Sequence, residues 1–222
     1  MVATDMMERP EQWPTLVVDA ACRHAPCSAR RRQTLEAVVR LAVELVHEGR
    51  EGRRVGTLIV VGDAAAILDR SRPLILDPLA GHDAAVRHVE DREFRQTVKE
   101  LAQLDGAFVV DDDGTFVSAA RFVEVNVGAA KGLPAGLGAR HASAASITED
   151  TDAVAIAVSE SAFVRIFAGG ALGAEIAPEL FLGAGGAAFA IPDPEVHELP
   201  DVGLTIALEP GHPTLVDPSP TG

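Results

Sequence analysis

Three short polar clusters carry the residue types that could do chemistry in this chain: Asp105-Gly106-Ala107, Gly138-Ala139-Arg140-His141-Ala142-Ser143, and Ser159-Glu160. An arginine, a histidine and a serine hydroxyl can clamp a triphosphate, and two carboxylates can hold a divalent metal. Each cluster taken alone also reads as ordinary structure: a turn, a surface pair and a strand end. A glycine-rich stretch, Gly132-Leu133-Pro134-Ala135-Gly136-Leu137-Gly138, leads into the second cluster. Such loops before helices are frequent and specify little by themselves. The chain has no GxxxxGK[ST] phosphate loop, GxSxG elbow, HExxH zinc motif or GxGxxG opening a first βα unit. Residue types and spacing thus support a nucleotide site and no particular reaction.

The elements that must position these clusters are legible from hydrophobic spacing. From Gln33, the apolar residues Leu35, Val38, Val39, Ala42, Leu45 and Val46 follow a helical period, and Gly49 is a natural stop. Val55 to Val61 reads as a strand buried on both faces, ending at Gly62-Asp63. Residues 64–91 read as a long connection with Pro73, Pro78 and Gly81. A second helix, with Phe94, Val98, Leu101 and Leu104 on one face, runs into Asp105. Phe108 to Val110 and Thr115 to Ser118 flank Asp111-Asp112-Asp113-Gly114 as a hairpin. Arg121 to Val127 is a further extended segment. The small residues from Ala142 to Ser146 fit a helix packed closely on a sheet. Val154 to Val158, Phe163 to Phe167 and Leu204 to Leu208 read as strands, Thr15 to Ala21 as a short strand, and residues from Gly211 as a loose tail. Together they predict an α/β fold, a mixed β-sheet flanked by helices. Ligands in such folds bind at strand ends and helix N-termini, where the three clusters stand.

Composition narrows the function classes. With 222 residues and 47% hydrophobic content, the chain can bury one domain with a short appendage. A net charge of −14, with Lys99 and Lys131 the only lysines, disfavours nucleic acid and anionic lipid as partners. The acidic surface reads either as a solubilising shell or as adaptation to high salt. The longest apolar run, Phe181 to Ile191, is broken by glycines and too short for a membrane span. No basic-then-apolar leader opens the chain, so a cytoplasmic location is expected. Cys22 and Cys27, with His24 between them, do not complete a zinc site, and a cytosolic setting predicts that both stay reduced.

Read together and in order, the clusters resemble the diadenylate cyclase domain family. Leu104-Asp105-Gly106-Ala107 resembles its DGA motif, Gly136-Leu137-Gly138-Ala139-Arg140-His141 its Arg-His motif, and Ile147 to Ser161 the strand that follows. The stretches "EGREGRRVGTLIVVGD" and "SRPLILDPLAGH" look like the archaeal branch, and the likeness covers roughly residues 35–170. The resemblance implies a cyclase that condenses two ATP into cyclic di-AMP with release of pyrophosphate, in a face-to-face homodimer or higher homo-oligomer, using Mn, Mg or Co. It implies catalytic roles for Asp105, Gly106, Ala107, Arg140 and His141. Gly138, Ser143 and Ser159 would bind substrate, and Asp105 and Glu160 would bind metal. Residues 31–190 would form the cyclase domain, after an extension at 1–30 and before a C-terminal strand and tail at 191–222. Ala142 stands where many members carry a second arginine, and Ala139 where many carry threonine. A catalytically weak or inactive nucleotide-binding sensor on the same fold is therefore the alternative.

Overall fold

Two apolar runs without polar alternation become the central strands, since a strand covered on both faces has no solvent side to mark. The computed structural model describes residues 12–126, 133–134, 136–182 and 189–211. Strand β1 (Thr57–Val61) lies antiparallel to β5 (Val154–Val158), with Thr57 opposite Val158. Its other neighbour is β3 (Ala107–Val110), parallel, with Leu58 opposite Ala107. The remaining strands are β2 (Ser71–Pro73), β4 (Phe116–Val123), β6 (Val164–Ala168), β7 (Ala171–Pro178), β8 (Glu195–Leu199) and β9 (Leu204–Leu208). Among the described residues they form one nine-stranded mixed sheet in the order β2-β4-β3-β1-β5-β6-β7-β9-β8.

Alternate side chains of the central strands feed two apolar layers. On one face, α1 (Trp13–Ala21), α2 (Ala29–Glu48) and α4 (Arg92–Leu101) cover Ile59, Val61, Phe108, Val110, Ile156 and Val158. On the other, α3 (Ala64–Asp69) and α5 (Ala139–Glu149) cover Leu58, Val60, Val109, Ala155 and Ala157. A short helix, α6 (Glu179–Leu182), follows β7. Lys99 is 1% exposed and ties α4 to α2 through Glu44 at 2.7 Å and Glu48 at 2.6 Å. The mixed sheet flanked by helices is thus the architecture the chain builds.

Several local expectations change. Thr15 to Ala21 is helical: Pro14 sits in the first turn of α1, and Val17, Ala20 and Ala21 bury at helical spacing. Helix α2 starts at Ala29, earlier than Gln33, because Ser28 caps it by accepting from the Arg31 backbone N–H at 3.1 Å. The 64–91 connection contains α3 and β2, and the extended segment from Arg121 is the continuation of β4. Leu104 lies beyond the end of α4 and is half exposed. Strands β7 and β8 were not anticipated. Gly132 and Ala135 of the glycine stretch, residues 183–188, and the tail beyond Gly211 lie outside the described residues.

The expectation of two reduced cysteines is overturned. Cys22 and Cys27 form a disulfide with Cα atoms 5.5 Å apart. Cys22 caps the end of α1 and Cys27 immediately precedes the Ser28 cap of α2. The tight turn between the helices brings the two into bonding range, a local geometry that argument from cellular compartment ignores.

Candidate functional site

The starts of β1 and β3 and the end of β5 meet at one edge of the sheet, and the N-terminus of α5 lies against it. An open cavity of about 390 Å³ occupies this edge, and Asp105, Gly106, Ala107, Arg140 and Ser143 all line it. Asp105 arrives there because the chain leaves α4 and turns into β3 with only a few residues between. Gly106 makes that turn at φ 97, and a Cβ there would stand 2.7 Å from the Ala120 carbonyl carbon and 2.8 Å from the Arg121 nitrogen. Only glycine permits this approach of β3 to β4. Arg140 and Ser143 are three residues apart on α5, so both reach the same side of the helix.

The cavity lining carries charges of both signs. The side chains of Asp105 and Arg140 make no ion pair and no hydrogen bond among the described residues. A second guanidinium, Arg121 of β4, also lines the cavity. Its Nε donates to Ser71 Oγ at 3.1 Å, and its Nη2 to the carbonyls of Leu68 at 2.9 Å and Ser71 at 2.6 Å. Those acceptors are neutral, so its charge is fixed in place and uncompensated by a carboxylate among the described residues. Such preset cations favour an anionic ligand. Leu104 and Phe122, 49% and 45% exposed, add an apolar wall that suits a flat ring. Arg121, Phe122 and Gly56 were not singled out from the sequence. The one available signal was a glycine directly before a buried strand.

The other expected site residues lie elsewhere. His141 is 6% exposed and packs under α5, its Nε2 3.4 Å from Arg165 Nη1 and its ring 6.1 Å from that of Phe167. Burial first, then the charges of Arg165 and Arg140, push its pKa down to about 4, so the ring is neutral at pH 7. Arg165 is paired with Glu175 at 2.7 Å, and Glu175 also accepts from the backbone N–H groups of Ala190 at 2.6 Å and Ile191 at 2.9 Å. His141 therefore belongs to a buried polar network behind the cavity and does not line it. Gly138 is the N-cap of α5. Ser159 and Glu160 follow β5 at the same sheet edge but outside the cavity lining. The Ser159 hydroxyl is engaged with Ser161 Oγ at 2.7 Å, and Glu160 is exposed.

Among the described residues no three His, Cys, Asp or Glu side chains gather as a metal cage. Among the described residues, Asp105 is the one carboxylate that lines the cavity. That donor set fits a divalent ion completed by phosphate oxygens and water, as Mg²⁺ usually is, and does not fit a closed structural site. No helix among the described residues is long and apolar enough to cross a membrane.

Comparison with known proteins places the chain in a family. Residues 45–172 match the DAC family, described as DisA bacterial checkpoint controller nucleotide-binding. The chain is 44% identical over 153 residues to a diadenylate cyclase of Methanocaldococcus jannaschii, covering 67% of this chain and 47% of that protein. It is 42% identical over 145 residues to a diadenylate cyclase of Haloferax volcanii, covering 65% and 52%. The chain thus spans about half the length of these curated relatives. Among solved structures, a hypothetical membrane spanning protein from Bacillus cereus is similar at TM-score 0.46 and 20% identity, covering 61% of this chain and 59% of that one. A double mutant of DacA from Staphylococcus aureus is similar at TM-score 0.43 and 18% identity, covering 65% and 87%.

Proposed function

The chain belongs to the DAC family, and from that premise we propose that it is a diadenylate cyclase, joining two ATP into cyclic di-AMP with release of two pyrophosphates. The observation that supports this most is the gathering of Asp105, Gly106, Ala107, Arg140 and Ser143 around one open cavity, where the Asp105 carboxylate and the Arg140 guanidinium have no ion pair or hydrogen bond among the described residues. Asp105 is exposed and Arg140 half-buried at this open wall, so both charges are accessible to an incoming ligand.

In this reading each subunit holds one ATP. Arg140, Arg121 and the Ser143 hydroxyl bind the triphosphate, while Leu104 and Phe122 cover the base. Gly106 and Ala107 keep side chains out of the space where the ribose approaches β3. Asp105 accepts the proton of the 3′-hydroxyl as that oxygen attacks the α-phosphorus of the other ATP, and pyrophosphate leaves with its bridging oxygen. A bound Mn, Mg or Co ion would neutralise phosphate charge, held by Asp105, with Glu160 as the other carboxylate at this edge. His141 acts from behind, by packing α5. Arg121 brings a second cation where Ala142 provides none. Because the product is two-fold symmetric, two subunits face each other in an isologous homodimer, and each site is complete only there. The protein works as a soluble cytoplasmic enzyme.

The test is incubation of the pure protein with ATP and Mn²⁺, Mg²⁺ or Co²⁺, followed by chromatography. Cyclic di-AMP and pyrophosphate in a 1:2 ratio are expected. Specific activity should rise with protein concentration until the dimer saturates. It should also rise with salt, because screening relieves repulsion between chains of charge −14. ATP binding without product would instead identify a sensor, and neither binding nor product would overturn the nucleotide site.

A further inference from the structure

Gly56, the residue before β1, lines the cavity with Arg140. Its backbone φ lies outside the left-handed region, so the conformation itself would accept any residue. What the position does not accept is a side chain. An ideal Cβ on Gly56 would stand 2.4 Å from Arg140 Nη1, 2.8 Å from Cζ and 2.9 Å from Nη2. The guanidinium therefore lies directly on the backbone at the start of β1, in space that exists only because residue 56 is glycine. Neither ion pair nor hydrogen bond holds the Arg140 side chain among the described residues. Packing against Gly56 is the contact that locates it.

We propose that Gly56 is a positioning residue: its missing side chain is the berth that sets the Arg140 guanidinium at the cavity wall, with its N–H donors open to the triphosphate. The proposal rests on the ATP reading of this cavity. A glycine at the head of a strand costs conformational entropy and packs nothing, and here it leaves the long arginine in one place without occupying its donors. The colliding atoms belong to the far end of a flexible side chain, which can swing aside. Gly56→Ala should therefore displace Arg140 while sparing the fold, and its effect should vanish once the guanidinium is gone.

A double-mutant cycle on the full chain reads this directly. The probe is 3′-deoxy-ATP with Mg²⁺, which lacks the attacking hydroxyl and cannot turn over, titrated by calorimetry. Gly56→Ala is expected to weaken binding about tenfold when Arg140 is present and less than twofold in an Arg140→Ala background, with Tm close to that of the parent. Equal weakening in both backgrounds, or none in either, overturns the proposal. If Gly56→Ala melts early, recovery of Tm in the double variant supports the berth, and failure to recover overturns it. If the parent chain does not bind the probe, the ATP reading falls on its own. The berth is then judged by the Arg140 Nε–Hε resonance of ¹⁵N-labelled protein, which Gly56→Ala must shift for the proposal to stand and which an unchanged signal would refute.

Discussion

Replacing His141 by glutamine should flatten the acid side of the stability curve. In the folded chain the ring is buried against Arg165, and its pKa falls from 6.5 to about 4. In the unfolded chain it titrates at its ordinary value. Between pH 6.5 and 4 the unfolded state thus holds more protons than the folded one, and stability falls as pH drops through that window. Above pH 6.5 the contribution is complete. At 1.36 kcal/mol per pKa unit the full difference is about 3 kcal/mol. Urea unfolding at several pH values from 7.5 to 4.5, for the parent and for His141→Gln, isolates it, since the carboxylates titrate in both proteins and cancel in the difference. The parent should lose about 2–3 kcal/mol more than the variant by pH 4.5. Equal losses in the two proteins would show that the ring is not held neutral by burial and Arg165, and would remove His141 from the network behind the cavity.

Two further outcomes follow from backbone geometry. Gly106→Ala places a methyl 2.7 Å from the Ala120 carbonyl carbon at φ 97. It should cost at least about 1–3 kcal/mol in thermal melts and abolish product formation, because β3 must shift from β4 at the cavity. Reducing the Cys22–Cys27 disulfide, which closes a loop of sequence separation 5, should remove about 2 kcal/mol. That lowers Tm by about 4–8 °C, and a Cys22→Ser, Cys27→Ser double variant should melt at the reduced value with or without dithiothreitol.

The central strands and the Asp105-Gly106-Ala107 cluster were legible because each is local. Val154 to Val158 carries no polar residue, and Asp105-Gly106-Ala107 needs only its place between α4 and β3 to reach the cavity. Strand β7 was hidden because it carries Gly173 and a fully buried Glu175, whose charge is sustained by Arg165 ten residues away in sequence and by N–H groups beyond β7. Strand β8, Glu195-Val196-His197-Glu198-Leu199, lies at the sheet edge and keeps a polar pattern that reads as loop. Thr15 to Ala21 is too short for periodicity to separate helix from strand. The inward packing of His141, the cation supplied by Arg121 and the role of Gly56 all depend on which strands are neighbours, and a linear pattern does not carry that information.

The central claim is that this cavity performs the chemistry, with Asp105 at the reacting centre. The most direct measurement compares Asp105→Asn with the parent for both cyclic di-AMP formation and 3′-deoxy-ATP affinity. The amide keeps the shape of the side chain and removes the charge that accepts a proton or holds a metal. Product formation should fall by far more than tenfold while affinity stays within about threefold, a difference of less than about 1 kcal/mol. A variant that retains more than about a tenth of parental turnover, a loss below ~1.4 kcal/mol, would contradict the assignment of Asp105 and with it the account of the site.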